Sequence, residues 1–215
     1  DLVRSRGLGD VYKRQIFNWI QNELFGAFFV HIFLEVIMKI AIIGYSGSGK
    51  STLAEKLSSY YSIPKLHMDT LQFQPGWQDS NRDWMLKKMK TFLSKHEDWV
   101  IDGNYSWCCY EERMEQADQI IFLNFSAWNC LARAFKRYLR YRGKVRESMA
   151  DGCPERFDWE FIRWILWDGR NSSHKDHYQQ ICSDYADKVT IITNQKELDG
   201  FLHKKERVGQ KSVIR

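Results

Sequence analysis

The stretch Gly44-Tyr45-Ser46-Gly47-Ser48-Gly49-Lys50-Ser51 decides the fold of this chain. It has the Gly-x-x-x-x-Gly-Lys-Ser spacing of a phosphate-binding P-loop, and it stands between a hydrophobic run and a helical pattern, as that mechanism requires. Its glycines permit a tight turn and a close approach of the backbone to phosphate oxygens. The sequence therefore predicts a site for the phosphates of ATP or a related nucleoside triphosphate.

The polar residues of this loop have separate expected roles. Lys50 is expected to reach the β- and γ-phosphates and to act in catalysis, while Ser51 is expected to offer its hydroxyl to Mg²⁺. The N-terminus of the following helix adds free N–H groups and a partial positive charge. The residues expected to bind the nucleotide are Gly44, Ser46, Gly47, Ser48, Gly49, Lys50, Ser51 and Thr52. The alternative is a glycine-rich turn with a chance lysine, which the flanking strand and helix disfavour.

Composition narrows the class of protein. With 215 residues, 44% of them hydrophobic, the chain is long enough for one α/β domain without disulfides or structural metals. Its net charge of +5 suits phosphorylated ligands but is lower than that of dedicated nucleic-acid binders. The five cysteines include no Cys-x-x-Cys pair, so we expect reduced thiols and a cytoplasmic protein.

The first 37 residues are expected to be a non-native N-terminal extension. Residues 5–15 resemble a translated sequencing adapter, and Met38 begins a strand-like run at once, so Met38 is the expected natural start. The alternative is an amphipathic N-terminal helix. Residues 24–43 are apolar, but His31, Glu35 and Lys39 interrupt them, so no membrane span is expected.

From Met38 onward, short β-branched runs alternate with helical ones, which predicts a parallel sheet covered by helices. Strands are expected at residues 39–43, 65–68, 99–101, 119–124 and 188–193, and helices from residue 50, at 83–95 and at 195–205. The fourth and fifth strands are separated by far more chain than one crossover needs, so an insertion is expected there. The expected domain covers residues 38–205, followed by a frayed basic tail at 206–215.

Two aspartates follow strands that neighbour the P-loop strand in the inferred sheet. Asp69 follows Leu66-His67-Met68, and Asp102 follows Trp99-Val100-Ile101. Because ligands bind at the carboxyl ends of parallel strands, Asp102 is expected to hold Mg²⁺ together with Ser51. Asp69 is the expected catalytic base if the acceptor is a hydroxyl. The alternative for either residue is a cap on the next turn.

The insertion begins with a dense basic run that contains no acid. Its members are Arg133, Lys136, Arg137, Arg140, Arg142, Lys144 and Arg146. Helical spacing places Arg133, Arg137 and Arg140 on one face, and arginines that close over a triphosphate stabilise its charge. Arg133 and Arg137 are expected to be catalytic residues of a mobile lid. Arg170 is a further lid candidate. The alternative is a solvated basic face.

Two further stretches are aromatic or turn-forming. Residues 157–167 carry aromatic side chains at spacings of three and four, which favours a packing helix over a base-stacking surface. Pro75-Gly76 predicts a loop over residues 72–81, where Trp77 and the following Arg82 are candidates for an acceptor pocket.

Four motifs together resemble one family. They are Gly-Tyr-Ser-Gly-Ser-Gly-Lys-Ser, His-Met-Asp-Thr-Leu, Gln-Pro-Gly-Trp and Trp-Val-Ile-Asp-Gly-Asn-Tyr, in this order. Over residues 38–202 the chain resembles the DNA topology modulation proteins, which look like adenylate-kinase-type P-loop enzymes. The resemblance implies a three-layer α/β sandwich with a five-stranded parallel sheet in the order 2-3-1-4-5 and a helical lid-like insertion between strands 4 and 5.

The same resemblance implies ATP with Mg²⁺ at Lys50 and Ser51, and an acceptor region after the second strand. Nucleotide kinases have Asp-Gly-Phe-Pro-Arg where this chain has Asp102-Gly103-Asn104-Tyr105, so recognition of a nucleoside monophosphate does not follow from it.

Three functions compete at this stage. The first is a phosphotransferase that moves the γ-phosphoryl group of ATP·Mg to a small-molecule or nucleotide acceptor. The second is an ATP-dependent DNA-associated module without that activity, which would bind nucleic acid with a steep dependence on salt. The third, a switch GTPase, is disfavoured because the sequence contains neither Asp-x-x-Gly nor Asn-Lys-x-Asp.

Overall fold

Strands and helices alternate along the chain in the computed structural model, which describes the backbone of residues 38–213 and the side chains of residues 38–205. The strands are β1 (Lys39–Gly44), β2 (Lys65–His67), β3 (Phe73–Gln74), β4 (Gln78–Asp79), β5 (Trp99–Asp102), β6 (Gln119–Leu123) and β7 (Val189–Ile192). The helices are α1 (Lys50–Tyr61), α2 (Met68–Gln72), α3 (Arg82–Lys95), α4 (Tyr110–Gln116), α5 (Ala127–Tyr141), α6 (Trp159–Leu166), α7 (Ser172–Asp184) and α8 (Gln195–Val213), with a 3₁₀ turn at Asp168–Arg170.

Five of the strands form one parallel sheet in the order β2-β5-β1-β6-β7. When these five strands alone are numbered along the chain, their order is 2-3-1-4-5, which confirms the order that the resemblance implies. The central strand β1 is apolar after Lys39, and Ile40 to Ile43 are fully buried, since helices cover both faces of a parallel sheet. In the register, His67 of β2 and Ile42 of β1 both lie opposite Asp102 of β5, so the carboxyl ends of the three strands meet at one edge.

The segment expected to be a loop at residues 72–81 contains a two-stranded antiparallel hairpin, β3–β4. Pro75-Gly76 forms its turn, with Gly76 at φ 79° and Trp77 at φ 63°. The short helix α2 precedes the hairpin, and it was not predicted either. Both elements are too short to show a hydrophobic period, so the turn signal is all that the sequence offers here.

The insertion between β6 and β7 is helical, as predicted. Helices α5, α6 and α7 each begin after a residue whose side chain accepts a hydrogen bond from a backbone N–H of the first turn. These residues are Ser126, Asp158 and Asn171, respectively. We call residues 142–158, between α5 and α6, the lid segment. It packs on the β3–β4 hairpin, where the N–H of Gly76 donates to the carbonyl of Gly152 at 3.0 Å.

The chain ends of the described region differ from expectation in one respect. Helix α8 continues to Val213, past Lys205, where the sequence suggested that the last helix ends. The predicted extension at residues 1–37 lies outside the described residues, and so do the side chains of the predicted tail. Within residues 38–213, no helix combines the length and the apolar character that crossing a membrane requires.

A fully buried arginine holds the loop that follows β5. The guanidinium of Arg113, in α4, donates to the carbonyls of Gly103 at 3.3 Å, Tyr105 at 3.2 Å and Cys109 at 3.3 Å, and the residue has 0% exposure. Burial lowers its pKa, and nearby groups including Tyr110 act against that change. Because three carbonyls take its donors, Arg113 determines the path of residues 103–109.

We expect Arg113→Met to lower the free energy of unfolding by about 3 kcal/mol, because buried carbonyls lose their donors. Denaturant unfolding followed by tryptophan fluorescence measures this. The matched control is Arg140→Met on the exposed face of α5, which should change stability by less than about 0.5 kcal/mol. Equal stability losses in the two variants would contradict the role given to Arg113.

Candidate active site at the carboxyl ends of the parallel strands

The P-loop joins β1 to α1 in a backbone conformation that excludes side chains at two positions. Gly44 has φ 141° and Gly47 has φ 80°. A Cβ at Gly44 would lie 2.5 Å from the carbonyl oxygen of Leu123, and one at Gly47 would lie 2.6 Å from that of Cys130. Glycine is therefore required at both. The turn brings the first N–H groups of α1 to the carboxyl edge of the sheet, where they favour an anion.

The side chain of Lys50 folds back over this loop. Its Nζ donates to the carbonyls of Gly44 at 2.9 Å and Tyr45 at 3.1 Å. Burial lowers the pKa of Lys50, while the charges of Asp69 and Asp102 act in the opposite direction. The ammonium group is thus within electrostatic range of both predicted aspartates.

Ser51, Asp102 and His67 form a row of hydrogen bonds behind the loop. The Ser51 hydroxyl donates to Asp102 Oδ2 at 2.8 Å, and Asp102 Oδ1 lies 2.5 Å from Nδ1 of His67. His67 Nε2 lies 3.4 Å from Glu55 Oε2. Burial alone would lower the pKa of His67, but the hydrogen bond and charge of Asp102, with a smaller part from Glu55, raise it. His67 therefore orients the Asp102 carboxylate towards Ser51.

The predicted metal pair fits Mg²⁺ in its donor chemistry. Ser51 Oγ and Asp102 Oδ2 are hydroxyl and carboxylate oxygens, which are the ligands that Mg²⁺ prefers, and they lie side by side. No group of three or more metal-binding side chains occurs among the described residues. A Mg²⁺ ion held here would thus take its other ligands from phosphate and water, as Mg²⁺ commonly does in phosphoryl-transfer sites.

Asp69 lies in the first turn of α2. The hydroxyl of Tyr105, in the loop after β5, donates to Asp69 Oδ1 at 2.7 Å. Burial, followed by the charge of Asp69, raises the pKa of Tyr105 well above its ordinary value, so the tyrosine stays protonated and remains a donor. This bond leaves Asp69 Oδ2 without a hydrogen-bond partner among the side chains of residues 38–205.

Asn104 joins the loop after β5 to the start of the P-loop. Its Oδ1 accepts the N–H of Gly44 at 3.1 Å, while its Nδ2 donates to the Gly44 carbonyl at 2.5 Å and to the Tyr178 hydroxyl at 2.7 Å. Sequence reasoning gave Asn104 no role. The signal was its position two residues after the end of β5, within the motif Asp-Gly-Asn-Tyr, because polar residues that follow such strands lie at the ligand edge.

The structure divides the basic run into two sets. The Arg133 guanidinium donates to the Ser48 carbonyl of the P-loop at 2.6 Å. Arg137 and Arg146 both pair with Glu155, at 2.6 Å and 2.5 Å, and the Glu155 side chain is 3% exposed. The remaining cations, Lys136, Arg140, Arg142 and Lys144, are exposed. The structure thus brings Arg133 to the P-loop, holds Arg137 in a buried ion pair, and leaves the second set on a solvated face.

Burial, followed by the charge of Arg146, lowers the pKa of Arg137, and Glu155 and Asp69 oppose this change. Because Arg137 also acts on the pKa of Lys50, its guanidinium lies within electrostatic range of Lys50 and Asp69.

Arg170, the further lid candidate, lies in the 3₁₀ turn after α6, within the insertion. Its guanidinium stacks 3.7 Å from the ring centre of Tyr45 and donates to the Phe125 carbonyl at 2.8 Å. The indole N–H of Trp164, on α6, donates to the Ser46 hydroxyl at 3.0 Å. The insertion therefore contacts the P-loop directly, through Trp164 at Ser46 and through Arg170 at Tyr45.

Of the two candidates for an acceptor pocket, Trp77 lies in the turn of the hairpin and Arg82 at the start of α3. Trp77 packs against Phe73 and, with it, against the lid residues Met149, Ala150 and Cys153. Arg82, the first residue of α3, lies 5.1 Å from the ring centre of Trp107. Trp77 is therefore part of a contact between hairpin and lid segment.

The sheet order, the P-loop between β1 and α1, and the helical insertion define an α/β fold of the P-loop NTPase class. No protein-family model matches the chain, and no curated protein matches it significantly. The resemblance to the DNA topology modulation proteins therefore stays a prediction.

Several solved structures are similar in fold to this chain, and they include three kinases. A gluconokinase from Sinorhizobium meliloti 1021 has a TM-score of 0.41 and 17% identity, covering 82% of this chain and 98% of its own. A shikimate kinase from Acinetobacter baumannii has a TM-score of 0.48 and 16% identity, and the match covers 84% of this chain and 97% of the kinase. A deoxyadenosine kinase from M. mycoides has a TM-score of 0.44 and 15% identity, and the match covers 79% of this chain and 100% of the kinase. Likeness at this distance assigns no residue role and no substrate.

We expect Asn104→Ala to lower the free energy of unfolding by about 2 kcal/mol, because both backbone groups of Gly44 lose their side-chain partner. The peptide that contains residues 44–50 should exchange its amide hydrogens faster, which mass spectrometry measures. Asn129→Ala, at an exposed position of α5, is the control. Unchanged exchange in this peptide would show that Asn104 does not hold the loop.

Proposed function

We propose that the protein is a phosphotransferase that moves the γ-phosphoryl group of ATP·Mg to a small-molecule or nucleotide acceptor. The observation that carries the proposal is that Lys50 lies within electrostatic range of two carboxylates that have different hydrogen-bond partners. Asp102 is bound to Ser51, on the side of the P-loop and its helix, whereas Asp69 is bound to Tyr105. A donor site and an acceptor site therefore flank one cation.

The donor side would bind the nucleotide through backbone and side chain together. The loop from Gly44 to Gly49 and the first turn of α1 offer N–H groups to phosphate oxygens. Lys50 would exchange its bonds to the carbonyls of Gly44 and Tyr45 for bonds to the β- and γ-phosphates. Mg²⁺, held by Ser51 and Asp102, would neutralise the phosphate charge.

The basic insertion would act on the transferred group. Arg133 already contacts the P-loop through Ser48, and Arg137 lies within electrostatic range of Lys50. Cations placed there stabilise the charge that spreads over the phosphoryl oxygens during transfer. We therefore propose catalytic roles for Arg133 and Arg137 beside Lys50.

The acceptor side would be closed from water by the lid segment. This segment packs on the β3–β4 hairpin through a small apolar cluster, formed by Met149, Ala150 and Cys153 with Phe73 and Trp77. Exclusion of water favours transfer to the acceptor over hydrolysis of ATP. The cytoplasmic location expected from the cysteines stays a prediction, as does ATP as the donor among nucleoside triphosphates.

We expect Lys50→Ala to lower the rate of phosphoryl transfer at least about 100-fold, because the transferred group loses its central cation. Transfer from [γ-³²P]ATP to a mixture of candidate acceptors, compared with label released as inorganic phosphate, measures this. The control is Lys56→Ala, an exposed lysine on the same helix, which should retain the wild-type rate. Equal transfer by wild type and Lys50→Ala would exclude the proposed enzyme.

We expect Asp102→Asn to raise the Mg²⁺ concentration that gives half-maximal activity about 10- to 100-fold, because an amide oxygen binds Mg²⁺ more weakly than a carboxylate. A magnesium titration at constant free ATP measures this shift. Asp187→Asn, just before β7 at the opposite edge of the sheet, controls for the loss of a carboxylate. An unchanged titration curve would remove Asp102 from the metal site.

A further inference from the structure

The acceptor side of the site is surrounded by carboxylates. Tyr105 donates its hydroxyl to Asp69, and Asp102 and Asp79 lie close enough for their charges to act on the same hydroxyl. Asp79 belongs to β4 of the hairpin and accepts a hydrogen bond from Gln72 at 2.8 Å. Acidic residues from a helix, a hairpin and a strand end thus lie within electrostatic range of the Tyr105 hydroxyl, and Asp69 contacts it directly.

The arginines near this region are already engaged. Arg137 and Arg146 share the buried carboxylate of Glu155, and Arg156 pairs with Asp158 at 2.7 Å. Recognition of a phosphate monoester normally uses an arginine fork that is free to bind both phosphate oxygens. These three guanidinium groups would have to leave a carboxylate to provide one.

Two other arginines, Arg113 and Arg82, contact the loop that follows β5. The Arg113 guanidinium donates its hydrogen bonds to three backbone carbonyls, of Gly103, Tyr105 and Cys109. Arg82 lies over the Trp107 ring and has no carboxylate partner among the described residues. It is a single exposed cation, and the two cations whose charges reach Asp69, Lys50 and Arg137, are bound by P-loop carbonyls and by Glu155. A phosphate monoester bound beside Tyr105 would therefore have to displace one of these partners to gain a cation.

We propose that the phosphoryl acceptor is an alcohol that carries no phosphate group, and that its hydroxyl binds at Asp69 Oδ2. This inference rests on the proposed phosphotransferase function and names the substrate class of the same site. Asp69 Oδ1 is occupied by Tyr105, which leaves Oδ2 as the acceptor-binding atom. A neutral or cationic alcohol satisfies this carboxylate, whereas a nucleotide or a sugar phosphate adds charge of the wrong sign.

The reaction balances with these groups alone. The acceptor oxygen forms a bond to the γ-phosphorus, and the bond from that phosphorus to the β–γ bridging oxygen breaks. The bridging oxygen leaves with the electron pair on ADP, and the hydroxyl proton passes to Asp69 Oδ2. Tyr105 is a positioning residue, because its hydrogen bond fixes the direction in which Oδ2 points.

The test uses an unbiased pool of acceptors. A small-molecule cell extract is divided, and one half is treated with alkaline phosphatase, which is then removed by filtration. The full chain and [γ-³²P]ATP are added to both halves, with Lys50→Ala as the blank. We expect at least as much label in new products from the dephosphorylated half, in a form stable to mild acid, since a phosphate ester resists conditions that hydrolyse an anhydride.

The possible outcomes separate the two proposals. Loss of the labelled product after phosphatase treatment would show that the acceptor carries a phosphate, and would overturn this inference while the phosphotransferase stands. Acid-labile label from the treated half would likewise exclude an alcohol. No Lys50-dependent label in either half would overturn the phosphotransferase, and the inference with it.

Variants then locate the acceptor. With the treated extract, Asp69→Asn should lower kcat at least about 100-fold, whereas Asp187→Asn should not change it. Tyr105→Phe should lower kcat about 10-fold with an unchanged KM for ATP and an unchanged Tm, which a purely structural role would not produce. Turnover near the wild-type rate in Asp69→Asn would exclude Asp69 as the base and overturn this part of the inference.

Discussion

The side chain of Asn104 binds both backbone groups of Gly44, and the rest of the site depends on this contact. Gly44 is the last residue of β1 and the first of the P-loop, and the carbonyl of Leu123 lies too close for any side chain there. The carbonyl that Asn104 binds also accepts a hydrogen bond from Lys50. A single amide side chain thus determines where the loop leaves the sheet and where its lysine points.

Charge is distributed unevenly around that lysine. Asp102 is oriented by His67 and faces a hydroxyl. Asp69 is held by a tyrosine through one oxygen, and its other oxygen has no hydrogen-bond partner among the side chains that the structure describes. Arg137 is held by Glu155, and Arg133 by a carbonyl of the P-loop. A buried carboxylate between two arginines keeps these cations in place when no phosphate is bound, because an unpaired buried charge is costly.

The sequence predicts what depends on local pattern. The P-loop, the five sheet strands and the pair Ser51–Asp102 follow from a motif and from the rule that the carboxyl ends of parallel strands meet. Residues whose partners are distant in sequence were missed, since no local period reports them. Asn104 lies 60 residues from Gly44, and His67 lies 35 from Asp102. The stacking of Arg170 on Tyr45 was likewise not predicted, because it depends on how the insertion folds back.

The contact between the lid segment and the hairpin has a consequence for the timing of turnover. The thiol of Cys153 donates to the Gln74 carbonyl at 3.1 Å, and Gly152 lies directly against Pro75. In the proposed phosphotransferase, a product formed beneath these contacts would leave only after they separate, and the apolar cluster would then be exposed to water. In a phosphotransferase built this way, product release competes with chemistry as the slow step.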